Sequence, residues 1–369
     1  MTPAVHQFIP SLAPRDAIGA HALALQELLR EMGFRSELFA DEVRPEMAGC
    51  ALPYRRYQGA GRPPAGRRQE RAPAWLLYHS SIGSPVADFL ARREEPKLVY
   101  FHNITPRSLV EAWDPAVGQA AATGWSQLLR LAPQAAAGFA NSRYSEAALA
   151  AAGVSPTAVV PLLVDVGALD REVDEACLRG LEATRRGAEL LFVGRISPHK
   201  AQHRLIQVLA AYRRAYDPAA RLHLVGGPAS ASYSEALGRY VAELGLDGAV
   251  DLAGSVSDGA LAAHYRNADA FVCASSHEGF CVPLLEAMHH GLPIVAYGAA
   301  AVPETVGGAG LVVGSRAPTV LAAAVHRALT DGGLRRAMAG VAAGRLAELG
   351  PARTRAAMAA AIEGVVGRP

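Results

Sequence analysis

At 369 residues the chain is long enough for two domains of ordinary size. With 51% of residues hydrophobic and 19% charged, it has the apolar side chains to fill large cores, which excludes a long disordered protein. The 36 basic residues against 34 acidic ones leave a net charge of +2, so no nucleic-acid partner is expected.

The chain opens with a short apolar segment, Val5 to Ile9, and then a loop, Pro10 to Ile18. Ala22, Leu25, Leu28, Leu29 and Met32 recur at three- and four-residue spacing and predict a helix, which Gly33 stops before a strand over Ser36 to Ala40. Between Arg55 and Arg71 six arginines stand among Gly and Pro, a composition for an exposed loop. Further buried strands are expected at Trp75 to Tyr78, Lys97 to His102 and Gly138 to Ala140, with a helix near Pro85 to Arg92. The second half repeats the plan, with strands at Glu189 to Ile196, Arg221 to Gly227, Val250 to Ser255, Ala270 to Ser275, Pro293 to Tyr297 and Gly310 to Val313. Helical segments separate most of them, so two α/β domains with parallel sheets are predicted. The division lies between Pro161 and Glu182, where Pro161 and Gly167 interrupt the pattern, and the chain after Ser315 is helical, broken at Gly332-Gly333 and Gly350-Pro351.

Cys50, Cys177, Cys273 and Cys281 include no Cys-x-x-Cys pair, so they are read as reduced thiols in a cytoplasmic protein. The chain lacks a basic start with an apolar run and any stretch of about 18 apolar residues, so neither export nor membrane spanning is expected. Lys97 and Lys200 are the only lysines, leaving 34 of the 36 basic residues as arginine. A lysine is therefore a stronger signal here than an arginine.

Ligands of open parallel sheets bind beyond the carboxyl ends of the strands. Arg195 and Lys200 follow the strand Glu189 to Ile196 and precede a helical pattern, a pairing that suits a diphosphate. After Ala270 to Ser275 comes His277-Glu278-Gly279-Phe280-Cys281-Val282-Pro283, with Glu286 one turn into a helix that Gly291 ends. Two carboxylates eight residues apart can accept hydrogen bonds from a polyol, and the Gly279 and Phe280 amides at a helix start can meet an anion. His199 and His203 are spaced as a metal pair but have no evident third ligand. Neither Asp-x-Asp nor Gly-x-Gly-x-x-Gly occurs, which speaks against a metal-dependent glycosyltransferase site and a nicotinamide enzyme.

In these residues the chain resembles the retaining nucleotide-sugar glycosyltransferases of family four, the GT-B class with two Rossmann-like domains facing a cleft. Glu278 to Ala287 match the signature E-G-F-G-x-P-x-x-E-A except for Cys281, where Gly is usual, and Val193, Gly194, Arg195 and Lys200 match V-G-R-x-x-x-x-K. Asn141-Ser142, Gly254 to Asp258, Tyr265, Ala268-Asp269 and Pro303-Glu304 extend the similarity. The resemblance implies that Arg195 and Lys200 hold the donor diphosphate, and that Glu286 takes the ribose hydroxyls. It gives the transferred sugar to Glu278 with Gly279, Phe280 and Cys281, and makes His102 an active-site histidine. Gly19 would approach the phosphates, though the family often has two glycines there, and Ser255 and Val256 would meet the base. Domains of 1–165 plus 352–369 and 166–351 follow, with the last helix crossing back to the first domain.

The expected reaction is sugar transfer from a UDP- or GDP-sugar to an acceptor hydroxyl, with retention, same-face attack and no metal or cofactor. The acceptor is left open among a sugar, a lipid-linked sugar and a small molecule, and membrane contact is limited to a peripheral one through the 55–71 arginine loop. A nucleotide-sugar epimerase, or a non-catalytic binding protein of the same fold, is the alternative.

Overall fold

The computed structural model describes residues 2–59 and 74–369. Arg62, Arg67, Arg68 and Arg71 of the arginine-rich segment lie outside them. Arg55 and Arg56 belong to a short turn, Tyr54–Arg56, in which the Arg55 guanidinium sits 5.2 Å from the Tyr54 ring centre. The chain forms two compact units, one of residues up to 107, 117–164 and 349–369, the other of residues 108–116 and 165–348.

The first unit is built on seven strands: β1 (Ala4–Leu12), β2 (Leu38–Val43), β3 (Leu52–Pro53), β4 (Ala74–Ser80), β5 (Lys97–Phe101), β6 (Ala135–Ala140) and β7 (Thr157–Val159). They pair in the order β3-β2-β1-β4-β5-β6-β7, every pair parallel. Its connections carry α1 (Ala17–Glu31), α2 (Pro85–Ala91), most of α3 (Pro115–Leu131) and α4 (Arg143–Ala151). Consecutive β1 residues feed different clusters, Phe8 with Phe39, Tyr57 and Leu76, and Ile9 with Leu12, Ala22 and Leu38. Both faces are buried, which is why the strand shows no alternation.

β1 runs three residues further than the sequence suggests, taking Pro10 to Leu12 from the expected loop, and α1 takes Ala17 and Ile18. Beyond Phe8 its pairing with β4 stops while pairing with β2 continues to Leu12, so the missing N–H of Pro10 is tolerated there. The edge strands β3 and β7, two and three residues long, are not among the strands that the sequence predicts.

The second unit contains β8 (Glu189–Val193), β9 (Arg221–Val225), β10 (Val250–Gly254), β11 (Ala270–Cys273), β12 (Ile294–Tyr297) and β13 (Gly310–Val313), all parallel in the order β10-β9-β8-β11-β12-β13. Its helices are α5 (Glu175–Thr184), α6 (Gln202–Ala215), α7 (Ala231–Glu243), α8 (Asp258–Asn267), α9 (Val282–His289), α10 (Val302–Val306), α11 (Pro318–Thr330) and α12 (Gly332–Leu349). The two-sheet α/β architecture is as expected, but five of these six strands are shorter than the apolar runs that announced them. β8 and β9 end at Gly194 (φ +154°) and Gly226 (φ +145°), which leave the extended region. The last helix, α13 (Pro351–Val366), belongs to the first unit and packs on α1, where Arg355 pairs with Glu31.

A buried charge cluster lies inside the second sheet, towards the amino ends of its strands. His223 of β9 pairs in register with Asp251 of β10. Its Nδ1 bonds Asp251 Oδ2 at 3.1 Å and its Nε2 bonds Glu189 Oε2 at 2.7 Å. Burial disfavours the imidazolium, yet the two carboxylates outweigh burial and raise the His223 pKa above 6.5. Both nitrogens then donate, and Glu189 is wholly buried beside them.

Candidate functional site

In the second sheet the connections run outward in opposite directions from β8 and β11, so the loops at the carboxyl ends of these adjacent strands diverge and leave a ligand position between them. The loop after β8 is fixed by close backbone approach. A Cβ on Gly226 would lie 2.1 Å from the Gly194 carbonyl oxygen, so only glycine lets the β8 and β9 loops pass. Arg195 follows with an exposed side chain, and its carbonyl accepts a hydrogen bond from Gln202 Nε2 at 2.9 Å. The turn Pro198–Lys200 then presents Lys200 before α6, whose Leu205, Ile206, Leu209 and Tyr212 are buried as their spacing predicts.

The loop after β11 brings Glu278 to Lys200. Lys200 Nζ donates to Glu278 Oε2 at 2.6 Å, and the Glu278 side chain is only 5% exposed. Burial alone would lower the Lys200 pKa, but the adjacent carboxylate outweighs burial and raises it, so Lys200 stays charged. Oε1 of Glu278 is buried with no hydrogen-bond partner among the described residues. α10 pins this loop from behind, because Ala301 donates its N–H to the Glu278 carbonyl and Thr305 Oγ1 donates to the Phe280 carbonyl at 2.6 Å. The Pro303-Glu304 match of the sequence lies in α10, between these two donors.

Cys281 caps α9 at φ +73°, a left-handed conformation that explains why glycine is usual at this position of the signature. Glu286, on the second turn of α9, accepts a hydrogen bond from the Tyr265 hydroxyl at 2.6 Å. Burial, with Asp258 adding to it, pushes the Glu286 pKa up to about 7 against the Tyr265 hydrogen bond. Tyr265 is itself buried and stacks on His290, with ring centres 4.9 Å apart.

Ser255 and Val256 follow the edge strand β10, two strands from β8. A Cβ on Gly227 would meet Ser255 Oγ at 2.4 Å, so the loops after β8, β9 and β10 lie one against the next. His199 and His203 do not converge, since Ala201 adopts φ +56° between them. His199 Nδ1 bonds Ser197 Oγ and His203 Nδ1 bonds the Tyr233 hydroxyl. Asp269, part of another sequence match, bonds the Glu189 amide and pairs with Arg185, a structural role at the strand starts.

In the first unit, His102 directly follows β5 and belongs to a buried chain of side chains that its sequence neighbours do not announce. Gln7 Nε2 donates to the Ala22 carbonyl, so Gln7 Oε1 accepts from His79 Nε2 at 2.8 Å. His79 Nδ1 must then accept, and His102 Nε2 donates to it at 2.9 Å. Burial keeps the rings neutral, lowering His79 to about 3 and His102 well below 6.5. The remaining lone pair of His102, on Nδ1, has no partner among the described residues. His21 accepts from the Leu163 amide at Nδ1, so its proton is on Nε2. The three histidines could be taken for a metal centre by proximity, but His102 Nδ1 is the sole lone pair these bonds leave open. Gly19 packs tightly: a Cβ there would lie 2.8 Å from Leu12 Cδ1, and its N–H caps α1 by donating to Asp16.

Residues 181–344 match the family described as glycosyl transferases group 1. The D-inositol 3-phosphate glycosyltransferase of Geodermatophilus obscurus is 35% identical over 181 residues, 47% of this chain and 40% of that protein. The GDP-mannose-dependent alpha-(1-6)-phosphatidylinositol monomannoside mannosyltransferase of Mycobacterium tuberculosis is 35% identical over 162 residues, 42% of this chain and 40% of that protein. The chain thus spans less than half the length of these curated relatives. Among solved structures, Anabaena Alr3699/HepE in complex with UDP-glucose superposes with a TM-score of 0.72 at 18% identity, covering 98% of this chain and 99% of that one. WaaG, a glycosyltransferase involved in lipopolysaccharide biosynthesis, does so with a TM-score of 0.71 at 12% identity, covering 98% and 100%. These likenesses establish the fold as GT-B. Residues 181–344, the stretch that matches the glycosyl transferases group 1 family, carry Arg195, Lys200, Glu278 and Glu286.

Proposed function

We propose that the protein transfers a sugar from a nucleotide diphosphate donor to an acceptor hydroxyl, with retention at the anomeric carbon and without a metal ion. The observation that carries this reading is the Glu278 carboxylate at the carboxyl end of the sheet, with one oxygen held by Lys200 and the other buried and without a partner among the described residues. Such an oxygen accepts a hydrogen bond from a sugar hydroxyl. Lys200 has three N–H donors, so it can keep Glu278 in place while meeting a diphosphate oxygen, and the exposed Arg195 guanidinium supplies a planar fork for the same group. Glu286, oriented by Tyr265, takes the ribose hydroxyls. Glu278 is committed to Lys200 rather than poised as a nucleophile, which favours same-face attack with the donor phosphate accepting the acceptor's proton. The cations stabilise the charge that develops on the leaving diphosphate. His102, neutral with an open Nδ1, accepts a hydrogen bond in the reaction.

The donor is a UDP- or GDP-sugar, in line with the GDP-mannose and UDP-glucose of the named relatives. Calorimetric titration with UDP, GDP and ADP is expected to single out one nucleoside diphosphate, and Arg195→Ala to weaken it. The product of the corresponding sugar donor then keeps its anomeric configuration by NMR. Binding of none of the three, or an inverted product, overturns the reading.

Glu286 adds a pH dependence. Its folded pKa of about 7 means that a ribose-accepting carboxylate is lost as the pH falls through 7. Nucleotide affinity is expected to drop by up to about tenfold per pH unit below that value and to level off above it. Glu286→Gln should flatten the profile. Stability moves the other way, because the raised pKa favours the folded state below 4.5 and this contribution fades as the pH rises through 7.

A further inference from the structure

Cys273 ends β11 and Cys281 caps α9, and the loop between them carries Glu278. One ligand atom from each of the three residues lies within 4.8 Å of the others. Cys273 is fully buried, Cys281 is 8% exposed and Glu278 is 5% exposed. The second oxygen of Glu278 is buried and has no partner among the described residues. We infer that Cys273, Cys281 and Glu278 form a binding site for a soft divalent cation of the zinc type, and that the ion silences the site by occupying Glu278.

The donor set selects the ion. Two thiolates and one carboxylate suit zinc or cadmium and are poor ligands for magnesium or calcium. At the usual zinc–sulfur distance, two sulfurs on a tetrahedral ion stand about 3.8 Å apart, so the cluster needs to contract by about an ångström at most. Charge is conserved as well. Before binding, Lys200 and Glu278 form a neutral pair beside two thiols, and a divalent ion that displaces both thiol protons leaves the local sum unchanged. A solvent molecule or a rearranged neighbour completes four-coordination. The site differs from a structural zinc site in that one ligand is the carboxylate given above to the donor sugar. Inhibition therefore rests on that reading of Glu278, whereas the site itself does not.

The test titrates the whole, reduced, chelator-stripped protein with Cd²⁺ alone, following the ultraviolet thiolate-to-cadmium absorption and the protons released. One equivalent is expected to saturate the absorption with release of two protons, and Zn²⁺ is expected to compete. Cys281→Gly is the decisive variant, because glycine adopts φ +73° readily and the loop keeps its shape. It should abolish the absorption and weaken Zn²⁺ more than about a hundredfold, since losing a ligand costs more than losing an outer partner. A variant lacking Cys50 and Cys177 should behave as the natural protein. A signal that survives Cys281→Gly, or one that vanishes without Cys50 and Cys177, overturns the site, as does the lack of a saturable signal. Filling of the site while glycosyl transfer continues unchanged supports the metal site and overturns the role given to Glu278.

Discussion

Lys200→Ala is expected to lower turnover by about a hundred- to a thousandfold, the scale seen when one preorganised donor to a developing charge is removed. The change acts twice. It removes a cation from the leaving diphosphate, and it strands the Glu278 carboxylate, which is buried and among the described residues receives its one hydrogen bond from Lys200. Breaking one side of such a pair typically costs about 3 to 5 kcal/mol of stability, so the single variant will also unfold earlier. The paired variant Lys200→Met with Glu278→Gln separates the two effects. It should regain much of the thermal stability, because no buried charge is left alone, yet remain as slow as the single variant. Steady-state rates on folded protein and melting curves of both variants are the measurements. Normal turnover by Lys200→Ala would remove Lys200 from the chemistry.

His223→Ala should destabilise the second unit by about 3 to 5 kcal/mol, although it lies away from the loops that bear Arg195 and Glu278. His223 donates to both Glu189 and Asp251, and Glu189 has no exposure to water. Without the imidazolium, the wholly buried carboxylate must either stay charged alone or take up a proton. The His223 pKa is raised in the folded protein, so its contribution is complete below 6.5 and is lost as the pH rises through the folded value. Urea unfolding at pH 6 and again at alkaline pH should therefore show a larger gap between natural and variant protein at pH 6. Glu189→Gln combined with His223→Gln should recover part of the loss. An equal gap at both pH values would mean that His223 stabilises as a neutral ring by packing.

Apolar runs without alternation, separated by helical spacing, determine two parallel-sheet units, because a strand buried on both faces has no polar side to record. The edge strands β3 and β7 escape this signal, since an edge has little to bury. The signature from Glu278 to Glu286 and the pair Arg195 and Lys200 are legible because each follows a strand end, where parallel sheets bind ligands. What the sequence does not contain is who touches whom. Lys200 and Glu278 are 78 residues apart and look like two separate ligand groups; the adjacency of β8 and β11 makes them one ion pair. Gln7, His79 and His102 come from three different strand regions, and only the order β1-β4-β5 lines them up to set the His102 tautomer. Cys273 and Cys281 fail every local spacing rule for a metal site, because their approach depends on a loop that folds back from β11 to the start of α9. Local sequence specifies periodicity, caps and turn glycines, which act over a few residues. Hydrogen-bond partners, tautomers and shifted pKa values arise from burial against distant segments, and these were decided by the packing of the strands.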